Sequence, residues 1–123
     1  MSRDYRLFLD DIKIACQKVL RYTGDMSYEQ FINDEKTYNA VVRNLEVIGD
    51  AAKKIPDEMR ERYPDIEWKK ISGLRDIAIH EYYNMDEEIL WDVVKNRIPE
   101  LLEQVTEILT EADEEEPEDK NES

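Results

Sequence analysis

Tyr5, Phe8, Ile12, Ala15, Val19 and Tyr22 recur at spacings of three and four, and Leu9, Cys16 and Leu20 widen the stripe. That period predicts an amphipathic helix from about Asp4 to Thr23, closed by Gly24. Ser27 offers an N-cap for a short turn, Tyr28 to Ile32. The period returns in Tyr38, Val41, Leu45, Ile48, Ala52 and Ile55, predicting a helix from about Asp34 to Ile55. Gly49, Ala51 and Ala52 are small enough to let another helix approach closely, and Pro56 stops the ladder. A short helix, Asp57 to Arg62, and the turn Tyr63-Pro64-Asp65 follow. A third long element is expected from about Glu67 to His80, with Trp68, Ile71, Leu74 and Ala78 inward. Asn84 reads as an N-cap, with Glu87 at the third helical position, for a last helix reaching about Ala112. Leu90, Val94, Ile98, Leu101, Val105 and Ile108 form its stripe, and Pro99 should kink it. Four long amphipathic helices with short loops predict an all-α, antiparallel four-helix bundle with short extra helices.

Composition narrows this picture. The chain has 123 residues with 3 Gly and 4 Pro, which suits one helical domain with a single modest core. The expected division is a helical domain over 1–112 and an acidic, disordered tail over 113–123. One cysteine, Cys16, excludes an intrachain disulfide, and its place in the first stripe makes it a core residue. No Cys/His metal cluster, membrane-length apolar run or signal-peptide pattern is visible, so a cytoplasmic location and no metal are expected. The formal net charge is −14, but Glu111 to Ser123 holds eight acids and one lysine, or −7, leaving −7 on the rest. Any contact with a nucleic acid must therefore come from local basic residues.

Candidate chemistry lies in Gly73-Leu74-Arg75-Asp76-Ile77-Ala78-Ile79-His80-Glu81-Tyr82-Tyr83, which contains the one histidine of the chain. Histidine exchanges protons near neutral pH, and an arginine can hold a phosphate bidentately. At about 100° per residue, Arg75 and Tyr82 fall on nearly the same helical face, while Arg75 and His80 lie roughly 140° apart. Arg75 and His80 converge on one phosphate only if the helix ends near His80 or a second chain contributes. Asp76, four residues before His80, can fix the imidazole tautomer or stand as a surface carboxylate. Tyr82 and Tyr83 also read as packing rings, Tyr83 the more so. Asn44, beside Arg43 on the second long helix, either points toward the site or belongs to a solvated pair.

The Arg-x4-His-x-Tyr arrangement on a helical chain of this size resembles the HEPN superfamily, and more closely its HepT-like ribonuclease toxins. The resemblance spans about Lys36 to Leu102. Val42-Arg43-Asn44-Leu45-Glu46-Val47-Ile48-Gly49-Asp50-Ala51-Ala52 is similar to that family's second-helix signature. Tyr63-Pro64-Asp65-Ile66-Glu67-Trp68 with Ile71-Ser72-Gly73-Leu74-Arg75-Asp76 is similar to its lead-in to the motif. The divergence of Arg75 and His80 predicts a two-fold homodimer, and the resemblance implies a metal-independent endoribonuclease without a cofactor, the toxin of a type VII-like toxin–antitoxin pair. In that family pattern Arg75 and His80 match the catalytic pair. Tyr82 matches the tyrosine that a partner nucleotidyltransferase antitoxin adenylylates. RNA and that antitoxin would be the partners, with no DNA and no membrane expected. Two departures stand out: Asp76 replaces the Asn that often follows the arginine in the wider superfamily, and the acidic tail lies outside the pattern. A non-catalytic, nucleotide-binding or interaction subunit of a nucleotidyltransferase complex is the alternative.

Overall fold

The computed structural model describes the backbone of residues 5–84 and 87–115, and the side chains of those spans except 80–84 and 113–115. The helices are α1 (Tyr5–Thr23), α2 (Tyr28–Asn33), α3 (Glu35–Lys53), α4 (Asp57–Arg62), α5 (Trp68–Ser72), α6 (Leu74–Asn84), α7 (Glu87–Asp92) and α8 (Ile98–Glu115). A π-helical turn, Val93–Arg97, joins the last two. The fold is an all-α bundle, as the periodicity predicts. Helix α3 is its hub, packing on α1, α2, α5 and α6, while α1 also packs on α8.

The stripes read from the sequence are the core. Leu9, Ile12 and Val19 of α1, Val41, Leu45 and Ile48 of α3, and Leu90, Ile98 and Val105 from the last helical run are fully buried. Each such Leu or Ile contributes roughly 1.5–3 kcal/mol before chain entropy is counted. Phe31 of α2 is also fully buried, with ring centroids 5.2 Å from Tyr38 and 5.1 Å from Trp91. The short second helix is thus a plug joining α3 to α7.

Caps set the helix boundaries. Gly24 takes φ +47 and its N–H donates to the Leu20 carbonyl, closing α1 as expected of a glycine after a last turn. Ser27 and Gln30 form a reciprocal capping box at α2. Asp34 is the N-cap of α3, its Oδ1 accepting from the Thr37 N–H at 3.0 Å. That hydrogen bond holds the Asp34 carboxyl below its ordinary range. At the other end of α3, Arg60 of α4 donates to the carbonyls of Ala52 (2.6 Å) and Ile55 (3.1 Å). A cation thereby adds donors at the C-terminal end of α3, where positive charge complements the helix dipole.

The element boundaries depart from expectation at several points. The element expected over Glu67–His80 is two helices meeting at Gly73, whose ψ of −12 departs from the helical value and interrupts the ladder. Helix α6 also continues past His80 to Asn84, and the expected cap by Asn84 lies outside the described residues. The residues between it and α7 lie outside those described. The last helix carries its irregularity just ahead of Pro99. The Ile98 N–H reaches back five residues to the Val93 carbonyl. Proline lacks the donor for the Lys95 carbonyl and crowds it, and a wider turn relieves both effects. Helix α8 runs on to Glu115, three residues beyond the expected end.

Gly49 governs how α3 meets α6. A Cβ built on it would lie 2.5 Å from the Arg75 nitrogen and 2.7 Å from the Arg75 Cβ. The obstacle is backbone, which cannot turn aside. Gly49→Ala should therefore destabilise the fold by roughly 1–3 kcal/mol, as overpacking does, and urea denaturation will read it as a lowered midpoint at unchanged slope. Burial pushes the Cys16 thiol up to about 12, so the thiolate is absent near neutral pH. An aromatic disulfide reagent should label Cys16 at once in denaturant and, in native buffer, only as fast as the chain opens.

Candidate functional site

Arg75 sits in the first turn of α6, on the backbone that Gly49 admits against α3. One residue further along α3, Asp50 takes its side chain: Arg75 Nε lies 2.7 Å from Asp50 Oδ1. The two helices are thus joined twice in neighbouring residues, by backbone contact at Gly49 and by an ion pair at Asp50. The Arg75 side chain keeps 40% of its surface exposed and that of Asp50 49%, so solvent or a ligand reaches both. Guanidinium is a planar fork with five N–H donors. The close contact with Asp50 is at Nε, and the terminal Nη1/Nη2 pair of a guanidinium is the edge that can take two oxygens of a phosphate.

The other proposed site residues fall differently. Asp76 is exposed and follows Arg75 directly on α6. Asn44 is half-buried on α3, and its side-chain amide donates to the Ala40 carbonyl of its own helix at 2.8 Å. Its neighbour Arg43 is exposed and pairs with Glu46 at 2.7 Å. The backbone at His80 and Tyr82 belongs to α6, but the expected contact between His80 and Asp76 and the expected packing of Tyr83 lie outside the described residues. Because α6 is unbroken from Leu74 to Asn84, the register holds: His80 is about 140° round the helix from Arg75, and Tyr82 within about 20°. Asp50 is the partner of Arg75 that the sequence reading did not single out. Its signal was adjacency to Gly49, the one residue of α3 that lets α6 come close.

A second concave feature lies elsewhere. A cleft of about 370 Å³ runs between α5–α6 and α7–α8, with Ile71, Leu74, Ile77, Val93 and Leu101 in its lining. Glu67 on its rim holds Lys70 at 2.9 Å and Arg97 at 3.2 Å. Those two cations, Lys70 first, keep the Glu67 carboxyl below its ordinary range. Arg75 does not line the cleft, so this hollow and the motif arginine are separate features. No group of three or more His, Cys, Asp or Glu that could hold a metal ion occurs among the described residues. Nor is any described helix long and apolar enough to cross a membrane.

The profile of the HepT-like family, described as ribonuclease HepT-like, matches residues 12–108. That span contains Gly49, Asp50, Arg75, His80 and Tyr82. The chain belongs to the HepT-like ribonuclease family. One relative, a candidate RNase of Methanocaldococcus jannaschii, is 40% identical over 108 residues, covering 88% of this chain and 89% of its own. Another from the same organism is 42% identical over 113 residues, covering 92% and 97%. A protein of Thermococcus cleftensis named a probable ribonuclease HepT is 39% identical over 101 residues, 82% and 92% of the two chains. No solved structure matches the chain.

For this HepT-like chain the Arg75–Asp50 pair is too exposed to be a main source of stability, since such pairs contribute at most about 1 kcal/mol. Arg75→Ala should shift the thermal midpoint by no more than a few degrees, read by circular dichroism beside the unaltered chain. A collapse of the melting transition would make Arg75 a structural residue.

Proposed function

We propose that this protein is a metal-independent endoribonuclease whose active groups are Arg75 and His80. The observation that carries the reading is the mounting of Arg75. Its Nε lies 2.7 Å from Asp50 of α3, and its side chain keeps 40% of its surface exposed. In the reaction, His80 acts as general base, taking the proton of a ribose 2′-hydroxyl as that oxygen attacks the adjacent phosphorus. The bond to the 5′-oxygen of the next nucleotide breaks, the leaving oxygen takes a proton from solvent water, and Arg75 balances the charge gathering on the phosphoryl oxygens. The nucleophile belongs to the substrate, so no metal-activated water is required. Asp76, four residues before His80, would orient the imidazole.

The unbroken α6 bears on assembly. With the helix continuing past His80, the 140° divergence of Arg75 and His80 stands, and a two-fold homodimer that pairs Arg75 of one copy with His80 of the other answers it. Tyr82, close to Arg75 in helical register, is the residue a partner nucleotidyltransferase would adenylylate. The AMP would crowd the groove and add negative charge against RNA. This makes the chain the toxin of a toxin–antitoxin pair, acting in the cytoplasm. The working domain is 1–112, with 113–123 as an acidic extension.

The test is cleavage of RNA in the presence of a chelator. His80→Ala should lower the rate about 10²- to 10⁴-fold and Arg75→Ala about 10²- to 10³-fold, both with the fold intact. Undiminished cleavage by both variants would overturn the assignment. Co-expression with a nucleotidyltransferase should add AMP to Tyr82, located by mass spectrometry, and Tyr82→Phe should escape it. Light scattering should give twice the chain mass at micromolar concentration, and a stable monomer would remove the composite site.

A further inference from the structure

We infer that Asp50 is the positioning residue of the active site: it aims the guanidinium of Arg75 and takes no part in the chemistry itself. This rests on the reading that Arg75 contacts the scissile phosphate.

The ion pair joins two helices and not neighbours on one, so it constrains where α6 presents its arginine. Arg75 and Asp50 meet at the point where Gly49 has removed any side chain between the helices. The Arg75 backbone therefore cannot slide along α3, and the one remaining freedom is rotation of its long side chain. Asp50 restricts that freedom by taking Nε at 2.7 Å. A guanidinium held at Nε keeps its plane and direction, while Nη1 and Nη2 remain for an anion. Held at the Nη end instead, the same arginine would have its phosphate-binding edge occupied. Preorganisation of this kind shows in the rate constant, because the donors stand in place before charge develops.

The charge of Asp50 separates this role from substrate binding. A carboxylate beside the site repels RNA, so a residue there for affinity would be basic. Removing the charge should leave KM unchanged or lower it, while kcat falls because the arginine wanders. Asp50→Asn keeps an oxygen that can accept from Nε, and Asp50→Ala keeps none.

Single-turnover and steady-state cleavage of a fluorescent RNA oligonucleotide, with chelator present, tests this on the full chain. The set is the unaltered protein, Asp50→Asn, Asp50→Ala, Arg75→Ala and the double variant Asp50→Ala/Arg75→Ala, with a melting curve for each. The expected result is a fall in kcat of roughly 10- to 100-fold for Asp50→Ala without a rise in KM, and a smaller fall for Asp50→Asn. The double variant should be no slower than Arg75→Ala alone, because a residue acting through Arg75 has nothing left to aim. If Arg75→Ala is impaired while Asp50→Ala cleaves as the unaltered protein does, the inference fails and the reading of the site stands. A loss that adds on top of Arg75→Ala, or one expressed in KM, also overturns it. If Asp50→Ala does not fold, the near-isosteric Asp50→Asn decides, and full activity there refutes the role. Failure of the unaltered chain to cleave, or normal cleavage by Arg75→Ala, overturns the underlying reading and the inference with it.

Discussion

The approach of α6 to α3 at Gly49 is the constraint on which the rest of the arrangement depends. A hydrogen in place of a methyl group lets the backbone of Arg75 rest on α3, at a separation no other residue allows. Packing there is not a matter of apolar area, since neither glycine nor a half-exposed arginine buries much. It is a matter of reach. With the helices this close, a carboxylate one residue along α3 can meet Nε of the arginine directly. A helix set further out would leave Asp50 and Arg75 to find water instead.

Much of the remaining structure fixes the two helices that meet there. Helix α3 is held between α1 on one side and α5–α6 on another, and Arg60 adds donors at its C-terminal end. The approach to α6 is strapped down in turn. Trp68 Nε1 donates to the Tyr63 carbonyl, the Tyr63 hydroxyl donates to Glu111 of α8, and Glu67 bridges Lys70 and Arg97. Of these, the Tyr63–Glu111 and Glu67–Arg97 contacts join segments far apart in sequence and tie the approach to α6 to the last helical run. The aromatic group of Phe31, Tyr38 and Trp91 does the same for α7 through apolar contact.

Elements with a strong period were legible in the sequence, because burial of one face is what selects them. The stripes of α3 and of the last helical run are buried throughout, while in α1 Leu9, Ile12, Ala15, Cys16 and Val19 are buried and Tyr5, Phe8, Leu20 and Tyr22 stay half-buried; Gly24, Ser27 and Pro56 set ends where their chemistry requires. What periodicity hid was interruption. An apolar stripe continues across Gly73 while the hydrogen-bond ladder does not, and a π-helical turn ahead of Pro99 shifts the register without breaking the stripe. The site was half legible for a similar reason. Arg75 stood out by residue type and company, and the small residues of α3 announced a close helix. Asp50 is one acid among 31, and only a neighbour from another helix gives it a role.

The acidity of the chain then takes on a different sense. At a net charge of −14 the long-range field opposes a polyanion, yet that field is screened within about 8–10 Å at physiological salt. At contact distance what counts is which donor points where. Asp50 and Asp76 flank Arg75, so the immediate surroundings do not attract phosphate by surplus charge. Under the proposed function, a site so built gains little from binding its substrate strongly and more from holding one cation in the orientation that developing charge requires. Differential stabilisation of that kind raises turnover without tightening the ground-state complex. The same carboxylate that weakens attraction for RNA is, in this reading, the one that directs the arginine. Its apparent cost in binding and its use in catalysis are two consequences of a single ion pair.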